Sequence, residues 1–312
     1  MNPTIDVMLV TNSNYLLPTI TTLCSLFDNN PVNINVYILY SSLNQVEVEA
    51  LKKFAYHWEG KTVFPLYVEA SLRNQLMGKN GYPVEMYYRI LGIDLLPQNM
   101  TKVLYMDVDV LIKGSIMELY QTNIENYAFA VCEDIYSILG KGLGIHRERT
   151  NVPSDASYFN SGVMLFNLEY LRLNNAAHTI LNKIKENFDH YVYVDQDALN
   201  ELYCKKVTYV PWALYNCPPR KYIVRPNLSN GTFDLVDYGF LQEIGYGTAP
   251  LSNDLLDVTE KVYDATHIIH YAGSRKPWKD DDILPESEFQ IFGQEYIHYA
   301  EKATDIFTDC IP

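Results

Sequence analysis

Two aspartates one residue apart, Asp107 and Asp109, close the apolar run Val103–Met106 in the stretch KVLYMDVDVLIKGSI. In an extended segment, positions i and i+2 point to one side. Two carboxylates so close repel, and neither is cheap to bury. A divalent cation resolves both problems, because carboxylate oxygens are hard ligands for Mg2+, Mn2+ or Ca2+. The alternative is a pair of solvated or salt-bridged acids at a loop start. The stretch alone leaves both open.

His270 ends a second apolar run in HIIHYAGSRKPW. Alone it reads as a core histidine. Beside a two-aspartate site it reads as a third ligand, and nitrogen ligation favours Mn2+. His267 lies three residues earlier, on the opposite face of a strand, and is not expected to join it. Lys276 follows in a glycine-containing loop. With backbone amides near Gly273 it could hold a diphosphate, or it is a surface lysine. Arg89, in EMYYRI, offers a planar fork for phosphate or carboxylate, or it forms a structural salt bridge. YVDQDALN groups Asp195, Gln196 and Asp197 at a helix start, where acids also cap free amides.

The elements that must position these groups alternate along the chain. Ile5–Thr11 reads as a buried strand and Leu16–Phe27 as a helix, with Pro18 near its start. Val32–Tyr40 is a second strand, Leu43–Tyr56 an amphipathic helix, and Thr62–Val68 a third strand. Val84–Pro97 reads as helix and leads into the run that ends at Asp107. Alternation of this kind predicts an α/β fold with a mostly parallel sheet covered on both faces. Ligands bind at the carboxyl ends of such strands, so Thr11–Tyr15 and Asp107–Asp109 are expected to share a pocket. Further on, Cys132–Pro153 reads as a mobile loop, Tyr158–Leu168 as a strand and Asp195–Tyr203 as a helix. His267–Trp278 reads as a short strand and a loop.

The net charge of −14, with no basic cluster, excludes nucleic acid and attraction to an anionic membrane by bulk charge. Any phosphate ligand then needs a metal or a few placed cations. Five cysteines without CxxC-like spacing predict free thiols in a reducing compartment. The first residues lack a basic region, so no signal peptide is expected, and no apolar run is long enough to span a bilayer. The expected location is cytoplasmic, at most peripheral to the inner face of the plasma membrane. The 26 tyrosines suit half-wet sugar platforms but are also ordinary core residues.

Six motifs in order, VTNSNY, YYRI, KVLYMDVDVL, YFNSGVMLFNL, YVDQDALN and HYAGSRKPW, resemble the family 8 glycosyltransferases. These are retaining, nucleotide-sugar-dependent enzymes. The group includes bacterial lipopolysaccharide galactosyl- and glucosyltransferases and glycogenin. The resemblance covers about residues 5 to 280. It implies a GT-A fold, Rossmann-like, with a smaller acceptor-binding region. It also implies one domain over 1–280, with a nucleotide-sugar half to about 130, an acceptor half beyond it, and an acidic, aromatic tail over 281–312.

What the resemblance implies for single residues follows the motifs. Asp107 and Asp109 match the DxD pair that holds Mn2+, with Mg2+ as a substitute, and His270 completes the metal site. Val10, Thr11, Asn12, Asn14 and Tyr15 match the uridine cradle, and Asp107 and Val108 also lie on the nucleotide side. Gly273 and Lys276 match the diphosphate loop. Arg89, Asp134, Asn160 and Asp195 match residues on the donor sugar, and Asp195 and Gln196 line its reacting face. Many relatives carry aspartate where this chain has Asn12; asparagine can accept from uracil N3–H, without charge assistance. The acidic stretch KDDDILPESEF departs from relatives whose basic tails dock on membranes.

The implied activity is transfer of galactose or glucose from a UDP-sugar to a hydroxyl of a saccharide or glycolipid acceptor. An amide at Gln196 is a poor nucleophile, which favours front-face substitution over double displacement. Three other readings remain. One is a glycogenin-like self-glucosylating protein, and another a non-catalytic sugar-nucleotide-binding protein on the same fold. A nucleotidyltransferase expects a glycine-rich basic loop after the first strand, which VTNSNY lacks. The acceptor would be bound by residues 136–157 and 212–260.

Overall fold

The computed structural model describes residues 3–74, 76, 78, 83–135, 150–220, 222–227, 232–237, 256–257, 259–273, 276–279 and 290–311. Most of the expected mobile loop, residues 136–149, lies outside them, as does much of the acceptor region.

Three strands, β1 (Thr4–Val10), β2 (Asn33–Tyr40) and β3 (Lys61–Tyr67), pair in parallel, and β1 also pairs in parallel with β4 (Lys102–Met106). The short β5 (Val110–Ile112) lies just past the aspartates. β6 (Phe129–Glu133), β7 (Phe159–Asn167) and β8 (Val207–Val210) complete a seven-stranded sheet of order β3-β2-β1-β4-β7-β6-β8. Only the two pairings of β7, with β4 and with β6, are antiparallel. The expected mostly parallel α/β sheet is the one observed. β9 (Tyr222–Asn227), β10 (Thr232–Asp237) and β11 (Leu256–Asp257) form a separate antiparallel sheet, and β12 (Ile268–His270) pairs with β5.

Strand β1 shows why its sequence is apolar throughout. Ile5, Val7 and Leu9 face one core, and Met8 and Val10 face the other. The first core receives helices α1 (Leu16–Asp28) and α2 (Gln45–Ala55). The second receives α3 (Tyr88–Leu95) and α4 (Val194–Tyr203). Helix α2 starts at Asn44, whose side chain accepts from Glu47 N while the Glu47 carboxylate accepts from Asn44 N, a capping box. A last helix, α5 (Gln290–Cys310), lies against the first core through Ala303 and Phe307. Its Phe292 and Tyr296 enter a third cluster with Leu111, Ile269 and Tyr271. A fully buried aromatic of this kind contributes about 1.5–3 kcal/mol.

Helix α1 also carries a buried polar stripe, and this stripe fixes the segment after β4. Thr22 Oγ1 donates to the carbonyls of Val108 (3.0 Å) and Val110 (2.8 Å). Ile112 N donates to Ser25 Oγ at 3.1 Å, and Asn29 Nδ2 donates to the Ile112 carbonyl at 3.0 Å. One edge of β5 is thus satisfied by side chains, and the other edge by β12.

Among the described residues no helix is long and apolar enough to cross a membrane. All five cysteines are free thiols, as the spacing predicts.

Candidate active site

The parallel pairing of β1 with β4 puts Thr11 and Asp107 at the same sheet edge. β6 runs the same way and delivers Asp134 there, and the antiparallel β7 starts there with Asn160, Ser161 and Gly162. Opposite β5, β12 sets His270 beside Val110, and Tyr271 N donates to the Asp109 carbonyl at 2.9 Å.

Asp107, Asp109 and His270 each offer a ligand atom, all within 4.8 Å of one another. The Asp107 Oδ1 oxygen is taken inside the protein, by Arg89 Nη2 at 3.0 Å and by the Tyr105 hydroxyl. Asp109 Oδ2 accepts from Lys276 Nζ at 2.6 Å. The remaining oxygens face the imidazole: Asp107 Oδ2 lies 3.8 Å and Asp109 Oδ1 3.3 Å from His270 Nε2. Asp109 Oδ1 is buried and has no aligned hydrogen-bond donor among the described residues. Metal–oxygen and metal–nitrogen bonds of about 2.0–2.2 Å bring ligand atoms about 3 Å apart, so these two carboxylates and one imidazole, which stand somewhat wider, could close on a divalent cation. Burial alone would push the Asp109 carboxyl up; His270, when protonated, and Lys276 more than offset it and hold it below the usual carboxylate range.

Arg89 is buried, and its guanidinium is used within the protein. Nη1 donates to the Ser161 carbonyl (2.7 Å) and Nε to the Met86 carbonyl (3.0 Å), and Cζ sits 4.6 Å from the Tyr105 ring centre. Asp195 Oδ2 lies 3.1 Å from Arg89 Nε but without hydrogen-bond alignment, and it is buried. Burial, countered in part by Arg89 and reinforced by Asp107, pushes the Asp195 carboxyl up to about 6.

Gln196 is held at both ends. Its Oε1 accepts from Ser161 N at 3.0 Å, and its Nε2 donates to Asp134 Oδ2 at 3.1 Å. Asn160 Nδ2 reaches the same Asp134 oxygen at 3.3 Å. The acidic helix start does not supply the expected N-cap: Tyr193 holds the cap position without a side-chain bond, and Asp197 Oδ2 accepts from Val192 N and Tyr193 N, ahead of the helix, at 2.7 and 2.9 Å.

At the end of β1, Val10 is a core side chain and Asn14 is exposed. The Thr11 hydroxyl pairs with that of Thr19 at 2.6 Å. Asn12 Oδ1, expected to face uracil, accepts from Asn14 N at 3.0 Å and caps a short 3-10 turn, Ser13–Tyr15. One lone pair of that oxygen remains. Tyr15 meets Trp278 edge-on at 6.3 Å, and Lys276 Nζ lies 5.7 Å from the Trp278 ring centre. Trp278 therefore ties the first loop to the loop of Lys276. Gly273 has a positive φ of 102°, which favours glycine, and a Cβ there would meet nothing within 4 Å. His267, as expected, stays apart: its Nδ1 lies 2.7 Å from the Ser115 carbonyl.

Sequence reasoning missed Tyr105, Ser161, Gly162, Asn216 and Trp278. Tyr105 and Trp278 sit inside quoted motifs, but aromatic residues there read as core. Asn216 gave no signal in WALYNCPP.

The model of glycosyl transferase family 8 matches residues 6–282. The chain belongs to glycosyl transferase family 8. Among members related to it, a lipopolysaccharide 1,2-glucosyltransferase of Escherichia coli is 28% identical over 280 residues, covering 86% of this chain and 71% of that protein. A lipopolysaccharide 1,3-galactosyltransferase of Salmonella typhimurium is 24% identical, covering 80% of this chain and 64% of that protein. The chain spans 55% to 71% of the length of the first three curated relatives it matches. The galactosyltransferase LgtC, solved with donor and acceptor sugar analogues, has a TM-score of 0.71 at 20% identity, with 96% of each chain covered. That likeness establishes the shared GT-A fold.

Proposed function

We propose that this chain is a retaining glycosyltransferase that moves a hexose, galactose or glucose, from a UDP-sugar to a hydroxyl of a saccharide or glycoconjugate acceptor. One observation carries the reading. Three ligand atoms, Asp107 Oδ2, Asp109 Oδ1 and His270 Nε2, converge beside the Lys276 ammonium at the carboxyl edge of the sheet. Asp107, Asp109 and His270 would hold Mn2+, with Mg2+ as a substitute. When bound, the cation supplies Lewis-acid stabilisation of the charge that grows on a leaving diphosphate.

The rest falls to the protein's own groups. Lys276 gives a second positive charge to the diphosphate, and the positive-φ turn at Gly273 lets backbone approach it. The segment from Val10 to Tyr15, with Val108, faces the nucleotide. Arg89 braces Asp107 and Asp195 from behind. Asp134, Asn160 and Asp195 bind sugar hydroxyls, and Gln196 lies on the reacting face. Bond cleavage passes through an oxocarbenium-like transition state. The Gln196 amide is a poor nucleophile and is already bonded at both ends, which supports front-face substitution. In that mechanism the leaving phosphate takes the acceptor's proton. A trapped glycosyl–enzyme adduct would overturn it.

The relatives that act on lipopolysaccharide support a saccharide or glycolipid acceptor and a role in cell-surface polysaccharide synthesis. A cytoplasmic protein, at most peripheral to the membrane, fits that role. The test is a panel of UDP-sugars with Mn2+, scored for UDP release. A preference for UDP-glucose or UDP-galactose supports the reading. No release from any UDP-sugar, with or without saccharide acceptors, sinks it.

A further inference from the structure

We propose that Asn216 is a positioning residue that sets the tautomer of His270, so that the metal-facing nitrogen, Nε2, carries a lone pair. The inference rests on the metal reading above and adds to it a residue outside the ligand set.

The argument starts from a group that cannot change its polarity, a backbone amide. Gly162 N donates to Asn160 Oδ1 at 2.9 Å. This contact fixes the oxygen end of the Asn160 side chain. Its other end is fixed independently, because Asn160 Nδ2 meets the Asp134 carboxylate, an acceptor, at 3.3 Å. Asn216 then reaches the same Asn160 oxygen at 2.9 Å. Only the amide nitrogen of Asn216 can serve there. Its oxygen is therefore turned to His270, 2.6 Å from Nδ1. An amide oxygen only accepts, so Nδ1 must carry the hydrogen. In the neutral imidazole, Nε2 is left as a lone pair.

Without Asn216 the preference would run the other way. Nε2 faces Asp107 Oδ2 and Asp109 Oδ1, two acceptors that favour a hydrogen on it. Asn216 instead directs a third lone pair at two carboxylate oxygens, an arrangement that a cation resolves. The backbone supports the placement. Cys217, next to Asn216, bridges β12: its amide donates to the Ile268 carbonyl at 3.0 Å and its carbonyl accepts from His270 N at 2.9 Å. Partners of this kind, beyond the ligands themselves, are worth about 10–100-fold in metal affinity.

The test reads the tautomer and the metal separately. Nitrogen-15 NMR of metal-free protein in mildly alkaline buffer, with the His270 signal assigned by its loss in His270→Gln, reports which ring nitrogen is protonated. Wild type is expected to be protonated at Nδ1, and Asn216→Leu, similar in size but unable to accept, at Nε2. Calorimetric titration with Mn2+ is expected to show about 10–100-fold weaker binding for Asn216→Leu. Asn216→Asp, which still accepts from Nδ1 but loses the donor to Asn160 Oδ1, is expected to bind Mn2+ more tightly than Asn216→Leu. A role in packing alone would leave His270 protonated at Nδ1 in Asn216→Leu. Wild-type His270 protonated at Nε2, or wild-type Mn2+ affinity in Asn216→Leu, overturns the proposal. A wild type that binds no Mn2+ overturns the metal reading, while the tautomer measurement still decides the role of Asn216.

Discussion

The imidazole of His270 lies against the bare Cα of Gly162. A methyl group there would stand 2.2 Å from Cε1 and 2.9 Å from Asp107 Oδ2. The ring has little freedom to retreat, since Nδ1 is bound to Asn216 and the backbone to Cys217. Gly162→Ala is therefore expected to displace a metal ligand without unfolding the sheet. We predict at least a tenfold loss of Mn2+ affinity by calorimetry, with near-native circular dichroism. Unchanged Mn2+ binding in this variant would show that His270 is not a ligand.

Asp107→Asn and Asp109→Asn are each expected to abolish Mn2+-dependent UDP release. The two should differ in stability. Asp109→Asn removes the carboxylate that accepts from the buried Lys276 ammonium at 2.6 Å, at a cost of about 1–3 kcal/mol. Thermal unfolding of the metal-free variants measures it. Near-normal turnover by either variant would argue against the metal assignment.

Thr22 touches no ligand, yet its hydroxyl serves the carbonyls on either side of Asp109. Thr22→Val keeps the shape and removes the donor. We expect a loss of about 1–2 kcal/mol and weaker Mn2+ binding, because the segment that carries the aspartates loses an anchor. Urea titration and calorimetry check the two effects. Full retention of both would mean that Ser25, Asn29 and β12 hold the segment without Thr22.

Glu201 lies at the far end of the helix that carries Asp195 and Gln196. Burial pushes its carboxyl up, but Lys183 (2.8 Å), the Tyr191 hydroxyl (2.7 Å) and Asn151 (3.3 Å) more than offset this and lower it. A carboxyl lowered in the folded state stabilises the protein above its unfolded pKa, and that contribution fades as pH falls through the folded value. Wild type should therefore exceed Glu201→Gln by about 1–2 kcal/mol at neutral pH, with the gap closing only below about pH 4.5. Unfolding curves across that range test the sign. A gap that widens on acidification would contradict it.

The sheet was legible because its strands are buried on both faces and read as apolar runs. Its ligand edge was legible because parallel topology puts strand ends together. The aspartates and His270 stand out for the same reason, as polar residues that terminate such runs. Asn216 carries no such mark. Its role depends on a bridge between Cys217 and β12, and no periodicity encodes that bridge. The polar stripe of α1 was hidden by its composition, since threonine and serine in an apolar helix read as neutral filler. Asn12 shows a different limit: its residue type suits both uracil and the turn that follows, and the structure shows it capping that turn. The acidic stretch before residue 290 masked the apolar spacing of Phe292, Tyr296 and Phe307 in α5.

Asp109 and Lys276 are 167 residues apart in the chain. At a synthesis rate of about 5–20 residues per second, the aspartates precede the lysine by roughly 8–30 s. Through that interval β5 has no β12 to pair with, and the carboxylates lack their histidine. The nascent chain thus carries half of the ligand cluster until residues 270 and 276 are made. On the function proposed above, a chain that stops earlier would carry the two aspartates without the histidine and lysine that complete the diphosphate site.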